Sequence, residues 1–413
     1  MSKYRRPWTH YAVLSFNIIV VAALLIVGIG FLWTGQRHGG RQVVSLNRDE
    51  TATTVAEAQV EPTEEWNLAA GDLEAKNFLI TGSDNGGCVD PDSPYAGAFG
   101  DRSAFGERSD TIMIIRVSPK ENQAAFLSFP RDLWVQIAGS TRSNRINTAF
   151  DRKNPNRLVD TIYQNFGIEV DHYVNIDFCA FKDIVDAVDG VKVPFAYTTR
   201  DKKTGLFVPN PSCYQFSGDH ALAYVRSRSG YSYFDEDKQD WVFDGTGDLG
   251  RISRQQDFIR RAMQRALDKG SGSPRVANDL LNVALKNVIT DDDLTPIRML
   301  QLAQAMRGLN TSGIPSYTIE ASGQMIGDQS VLIPRLQNDT MREILALFQG
   351  KANFGVPAGE TSDDTIESAP AFAGVAYVAG SSNVETSPTT TVPVVAPEQD
   401  TIGFVPPDDP SCR

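Results

Sequence analysis

Histidine, cysteine and positive charge are all scarce in this chain. Its 413 residues hold four His, none close to another, which argues against a His-based zinc site. Four Cys are too few for a disulfide scaffold. Lys and Arg number 39 against 51 Asp and Glu, a formal net charge of −12. A dedicated duplex nucleic-acid binder needs a basic surface to neutralise phosphate, so that class is set aside. The glycines between Gly82 and Gly87 lack the Lys-Ser/Thr of a P-loop, which leaves a nucleoside-triphosphatase without support. Neither Ser109 nor Ser128 lies in a G-x-S-x-G elbow or a local motif with His, which weighs against a serine nucleophile. No internal repeat is visible. The rest is ordinary: 41% apolar and 22% charged residues, ample for a buried core in two or three domains.

Charge is also missing from one long stretch. The 22 residues from Ala12 to Trp33 carry none. At about 1.5 Å per residue, such a helix spans about 30 Å of hydrocarbon. It is too long for a cleaved signal peptide, and no small-x-small site follows Phe31 to Trp33. Lys3, Arg5 and Arg6 precede it with no acid nearby, while Arg37 and Arg41 follow it. We therefore expect a single-pass plasma-membrane protein. Its parts are a short cytoplasmic N-terminus (1–11), a transmembrane anchor (12–33) and a flexible extracellular linker (34–73). The linker's reach is about 35 Å. Residues 351–413 hold eight of the 22 prolines and a Thr/Pro stretch from Thr386 to Pro397, and read as a disordered tail.

Between 74 and 345 the pattern is mixed. Strands are expected at Asn77–Thr81, Thr111–Val117, Gln123–Phe129, Trp134–Ile137 and Tyr173–Ile176. The unbroken run Ile112 to Ile115 suits a strand covered on both faces. Phe178, Phe181, Ile184, Val185 and Val188 form one helical stripe, and Ile252, Ile259, Met263 and Leu267 another. Further helices are expected at 275–289, 294–308 and 338–349. This interleaving predicts an α/β fold: a mixed central sheet sandwiched between helices, preceded by one transmembrane helix.

Three clusters carry the chemistry. Arg108-Ser109-Asp110-Thr111 precedes the buried strand, and Ser128-Phe129-Pro130-Arg131-Asp132 ends the next. The third is Arg226-Ser227-Arg228, followed by Asp248-Leu249-Gly250-Arg251-Ile252-Ser253-Arg254-Gln255. Charges at strand ends, flanked by apolar runs, tend to be partly buried, which is costly unless they pair or bind something charged. Arg offers a planar fork matched to phosphate oxygens. Asp is a hard oxygen ligand suited to Mg²⁺. Arg with Asp, without His or Cys, is what metal-assisted phosphoryl chemistry needs. Ordinary rim salt bridges are the plain alternative. Arg226 and Arg228 share a side if extended and diverge on a helix.

The order of these clusters resembles the LytR–CpsA–Psr family, enzymes that attach glycopolymers to bacterial cell wall. The resemblance covers about 74–345. It rests on Gly82-Ser83-Asp84, the Arg108 and Ser128 clusters, Arg145-Ile146-Asn147-Thr148-Ala149 and Val188-Asp189-Gly190-Val191. Gly218 to Arg228 reads as G-x-x-A-L-x-Y-x-R-x-R, and Asp248 to Gln255 as D-x-G-R-x-x-R-Q. The resemblance implies Asp84 and Asp110 as ligands of Mg²⁺, with Mn²⁺ as a substitute. It implies Arg108, Arg131, Arg145, Arg226, Arg228, Arg251 and Gln255 around the pyrophosphate of a polyprenyl-linked donor. Asp248 would orient Arg251. The polyprenyl chain would lie in an apolar tunnel; the Phe178–Val188 face is either a wall of it or simply core. The implied reaction moves a glycopolymer from its polyprenyl-pyrophosphate carrier to a muramic acid 6-hydroxyl of peptidoglycan, leaving a phosphodiester. Asp110 or Asp132 would accept the hydroxyl proton. Hydrolysis of the lipid pyrophosphate, and non-catalytic holding of lipid-linked glycan, are the rival readings. The polymer itself stays open between arabinogalactan-type, teichoic acid and capsule.

Two segments depart from the family pattern. One is the loop between Asp84 and Arg108. The other is the acidic, aromatic insertion 229–247, which reads as a lid, an acceptor groove or a solvated loop. Disulfides persist outside the cytoplasm. Cys88 and Cys213 both lie in loop-like sequence and are expected to pair. Cys179 is expected to be a buried thiol and Cys412 a free one.

Overall fold

The structure, a computed structural model, describes residues 41–47, 73–84, most of 88–98, 109–272, three residues within 280–283, and 288–354. Near the C-terminus it describes Gln399, 402–407, Asp409, Ser411 and Cys412. The expected anchor and most of the linker lie outside these residues. Among the described residues no helix is long and apolar enough to cross a membrane.

The strands are β1 (Gln42–Val44), β2 (Lys76–Ser83), β3 (Ser109–Ser118), β4 (Gln123–Ser128), β5 (Trp134–Gln136), β6 (Ser143–Arg145), β7 (His172–Asp177) and β8 (Val191–Phe195). They continue as β9 (Thr199–Asp201), β10 (Leu206–Val208), β11 (Ser212–Phe216), β12 (Ser232–Asp235) and β13 (Asp240–Phe243). The last are β14 (Val288–Asp291), β15 (Ser316–Thr318), β16 (Ala321–Ile326) and β17 (Gln329–Pro334). The helices are α1 (Asn156–Phe166), α2 (Phe178–Ala187), α3 (Gly218–Arg226), α4 (Asp248–Gly272), α5 (Pro296–Ala305) and α6 (Asp339–Phe348).

Seven strands form the central sheet in the order β1-β14-β7-β2-β3-β4-β15, with parallel and antiparallel pairs mixed. The α/β expectation holds. Successive side chains of a strand point to opposite faces, and the core splits accordingly. Leu79, Ile114 and Leu127 pack against Leu158 and Ile162 of α1 and Ile344 and Phe348 of α6. Phe78, Met113 and Phe126 face the other way, towards α4 and α5. Burying one such side chain contributes roughly 1.5–3 kcal/mol.

Local sequence explains the helix ends. Leu158, Ile162 and Phe166 recur every four residues, and Gly167 closes α1 in the left-handed region at φ 66°. The Asp177 carboxylate accepts from Ala180 N and so caps α2. A second core gathers Phe178, Val185 and Val188 against Phe216, Tyr224 of α3 and Phe258 of α4. Three of the five residues of the Phe178–Val188 stripe, Phe178, Val185 and Val188, therefore belong to this core.

Several expectations need correction. The helix expected to 289 gives way to strand β14 from Val288. Cys88 pairs with Cys179, and Cys213 with Cys412, so the expected Cys88–Cys213 bond is absent and neither remaining cysteine is a thiol. Sheet register gives the reason for the first pair. β2 and β7 run parallel with Ser83 opposite Asp177, so the loop after β2 begins beside the first turn of α2. For the second, Cys213 lies exposed on β11, where the end of the chain reaches it. That contact also overturns disorder for the whole tail: Cys412 is 1% exposed. Such bonds are those of a chain that matures in an oxidising compartment.

Candidate functional site

One end of the sheet collects the strand ends and helix ends that carry the three clusters. Asp84 follows β2, and Asp110 lies at the start of β3. The pairing runs Gly82 to Thr111 and then Ser83 to Ser109, so Asp110 is the extra residue of a β-bulge. Bulges re-aim a side chain, and this one turns Asp110 towards arginines from three other elements.

Arg131, after β4, places Nη1 2.5 Å from Asp110 Oδ1. Arg226, the last residue of α3, places Nη2 3.9 Å from Asp110 Oδ2, and Arg251 of α4 places Nη1 3.8 Å from the same oxygen. Arg251 also donates to the Asp110 carbonyl at 2.8 Å. Arg226 Nη1 donates to Asp84 Oδ1 at 2.9 Å, so one guanidinium spans both expected metal ligands. Its plane lies over Phe178, 4.3 Å from the ring centre, a cation–π contact. Asp248 receives Arg251 Nη2 at 3.0 Å and faces Arg228 Nη1 at 3.6 Å. Asp132 lies 3.5 Å from Arg131 Nε and 3.3 Å from Arg145 Nε.

Both earlier alternatives for Arg226 and Arg228 contain part of the answer. The helix stops at Arg226, and Ser227 is extended at φ −58° and ψ 132°, so the pair straddles a helix end. Arg108 lies outside the described residues. Gln255 donates to the Val225 carbonyl at 3.1 Å and so props the last turn of α3.

Exposure grades across the cluster. It rises from 3% at Arg251 to 14% at Arg226, 22% at Arg131, 31% at Arg145 and 34% at Arg228. The deep arginine organises the carboxylates, while the outer ones can meet an incoming anion. Burial lowers the Arg251 pKa; Asp248 and Asp110 oppose that, and Arg228 and Arg131 reinforce it. Burial works against Arg131 too, but the charge and hydrogen bond of Asp110, with Asp248 and Asp132, raise its pKa above the ordinary value.

Asp291, Asp292 and Asp293 also lie close together, with carboxylate oxygens within 4.8 Å. They sit at the opposite end of the sheet, because β14 runs antiparallel to β7 and Asp291 meets His172. Two residues without an assigned role in the sequence belong to the frame of the site. Arg254, fully buried, bonds Asp244 at 2.7 Å and the Ser227 carbonyl at 2.9 Å. Its signal was its place in D-x-G-R-x-x-R-Q; Asp244 gave none.

Fold and site together describe an α/β protein with an arginine–carboxylate cluster at one end of its sheet. Residues 41–346 match the profile of the LytR_cpsA_psr family, and the chain belongs to that family. It is 29% identical over 227 residues to the polyisoprenyl-teichoic acid–peptidoglycan teichoic acid transferase TagV of Bacillus subtilis, covering 53% of this chain and 54% of that one. With the probable cell wall biosynthesis protein LcpB of Corynebacterium glutamicum the identity is 30% over 245 residues, covering 59% and 54%. The chain thus spans about half the length of these two relatives. Among solved structures, a LytR-Csp2A-Psr enzyme from Actinomyces oris superposes with TM-score 0.52 at 21% identity, covering 75% of this chain and 96% of that one. Crystalline TagV of B. subtilis gives 0.51 at 22% identity, covering 68% and 100%. These superpositions support the fold.

Proposed function

We propose that this protein transfers a glycopolymer from a polyprenyl-pyrophosphate carrier to peptidoglycan, forming a phosphodiester. The observation that carries this reading is the charge inventory at the sheet end. Five guanidiniums, of Arg131, Arg145, Arg226, Arg228 and Arg251, surround the four carboxylates of Asp84, Asp110, Asp132 and Asp248. Such a centre suits a multiply charged anion accompanied by a cation.

Asp84 and Asp110, both hard-oxygen donors with buried side chains beside the same arginine, are the residues that would hold a divalent metal such as Mg²⁺. When bound, that ion supplies charge neutralisation at phosphate oxygens. The chain's own residues do the rest. Arg131, Arg226 and Arg228 hold the pyrophosphate and stabilise the charge that develops as the phosphoanhydride bond breaks. Arg251 keeps Asp110 and Asp248 in place from behind. Asp132 is more open than Asp110 and is the better placed acceptor for the proton of a muramic acid 6-hydroxyl. Positioning does more than base strength in such transfers.

The carrier's lipid finds a matching surface. Ile80, Ile115 and Val174 on the sheet and Ile259, Met263 and Leu267 on α4 are only partly buried. They form an apolar layer between the sheet and α4, the helix whose first turn carries Arg251. Anchor and linker would keep this body near the membrane, on its outer side.

The test uses the purified chain with a short-chain lipid-pyrophosphate glycan, Mg²⁺ and peptidoglycan oligomers, read by mass spectrometry. The relatives' names make a teichoic-acid-type polymer the first donor to try. We expect an oligomer carrying the phosphoglycan, absent with Asp110→Asn. Free phosphoglycan without adduct would replace transfer by hydrolysis. An intact donor would replace it by binding alone.

A further inference from the structure

Arg254 touches no carboxylate of the cluster, yet it holds the cluster's hinge. Its Nη2 donates to the carbonyl of Ser227, the residue between Arg226 and Arg228. Its guanidinium rests 4.0 Å from the centre of the Tyr231 ring, and its Nη1 donates to Asp244 Oδ2. Asp244 lies in the last part of the 229–247 insertion. That insertion is ordered: β12 and β13 form a hairpin joined to β9, in a four-stranded sheet with β10.

The end of the chain closes on the same carboxylate. Phe404 N donates to Asp244 Oδ2 at 3.4 Å, and the Phe404 ring stacks on Tyr233 with centres 4.4 Å apart. Upstream, Gln399 brackets the backbone of Thr318 at the sheet's edge, accepting from its N at 2.6 Å and donating to its O at 3.1 Å. Between these, Ile402 N donates to Ser253 Oγ of α4 at 3.3 Å. Downstream, the Pro407 carbonyl accepts from Arg261, and Cys412 is bonded to Cys213. Gln399, Ile402, Phe404, Pro407 and Cys412 therefore touch, in turn, the sheet edge, α4, the insertion, α4 again and β11.

We infer that Asp244 and Arg254 position the Arg226/Arg228 pair, and that the C-terminal segment, bolted by Cys213–Cys412, is a strap that holds this positioning pair closed. The physical reason is leverage. A carbonyl fixed from behind sets the peptide plane between two arginines, and hence the direction in which both guanidiniums leave the backbone. A misplacement of about 1 Å at a reacting group can cost on the order of 10²-fold in rate. Arg226 and Arg228 gain that precision only while Asp244 holds Arg254, and Asp244 is shared with the strap. This role rests on the proposed transfer reaction for its catalytic meaning, but the mechanical coupling does not depend on it.

The experiment uses the full chain with two variants, Asp244→Asn and the paired Cys213→Ser/Cys412→Ser. Amide hydrogen exchange is followed at 226–228 and in the hairpin. Donor KM and kcat for transfer are measured alongside, with Arg254→Lys as the conservative substitution. We expect exchange at Ser227 and Arg228 to quicken in both variants. We also expect kcat per folded molecule to fall about tenfold, alongside a lower melting temperature in both variants, and Arg254→Lys to retain part of the rate. Unchanged exchange at 226–228 after release of the strap overturns the coupling, as does an unchanged kcat with a loosened hairpin. If the wild-type chain transfers nothing, the proposed function fails, and the exchange data alone decide the coupling.

Discussion

Asp291 and Asp110 sit at opposite ends of one sheet, both buried, both near arginine. Asp291 is used up by backbone. It accepts from the amides of Tyr173, Asp293 and Leu294, and its neighbour Arg41 donates to Thr290 Oγ1 and to the carbonyls of Asp291 and Leu294. The His172 ring lies 3.2 Å away. Every one of these contacts ties a turn or a strand end. Asp110 instead faces three guanidiniums from three elements, and those forks carry far more donors than one carboxylate has lone pairs. The same two residue types thus build a turn-tying cap at one end and an arginine–carboxylate cluster, the proposed anion site, at the other. The contacts described at Asp291 are mostly to backbone, and those at the Asp110 carboxylate are to guanidiniums.

The largest effect that could break this comparison is on turnover. Arg131→Ala or Arg226→Ala should lower transfer on the order of 10²- to 10³-fold while the chain stays folded. Steady-state transfer assays with circular dichroism would check it, and near-normal turnover would remove that arginine from the site. At the other end the expected loss is in stability. Asp291→Asn leaves a turn's amides and Arg41 poorly matched, and should cost about 3 kcal/mol in urea unfolding. Its turnover per folded molecule should stay at the wild-type level. A stable variant with lost activity would instead make the acidic triplet functional.

A smaller, pH-dependent effect sharpens the contrast from α3. His220, in the first turn of that helix, is buried; burial lowers its pKa from 6.5 to about 4. Phe207 N donates to its Nε2 at 3.4 Å and Tyr214 Oη lies 3.2 Å from its Nδ1, an arrangement for the neutral ring. The unfolded chain takes up this proton near pH 6.5 and the folded chain only near pH 4. Stability is therefore lost as pH falls between those values, by about 2 kcal/mol from pH 7 to pH 5. Unfolding curves at both pH values for the wild type and His220→Gln would show it; equal slopes would exclude His220 as the cause.

Much of this architecture was readable before folding was considered. Apolar runs located β2, β3, β4 and β7 to within a few residues, because strands covered on both faces need continuous side-chain burial. β14 was missed, since Val288-Ile289-Thr290-Asp291 is four residues long and follows a run with helical spacing. α3 was read as a motif and not as a helix. The site was legible as a set of residue types, but Arg254 showed only as a motif position without a role, and Asp244 was silent. Their importance lies in a carbonyl and an amide, and backbone contacts leave no mark on side-chain pattern.

Residue chemistry and spacing by themselves determined which side chains could be buried, which charges sat at strand ends, and the order of motifs that marks the family. Periodicity does this because burial along a strand or helix is a local geometric property. Only the tertiary structure decided which Asp met which Arg, that Cys88 joins Cys179 and Cys213 joins Cys412, and that the chain's end returns to the site. Asp84 and Arg226 are 142 residues apart, and the two disulfides close separations of 91 and 199. Contacts at such range are set by sheet order and register, which no local preference encodes.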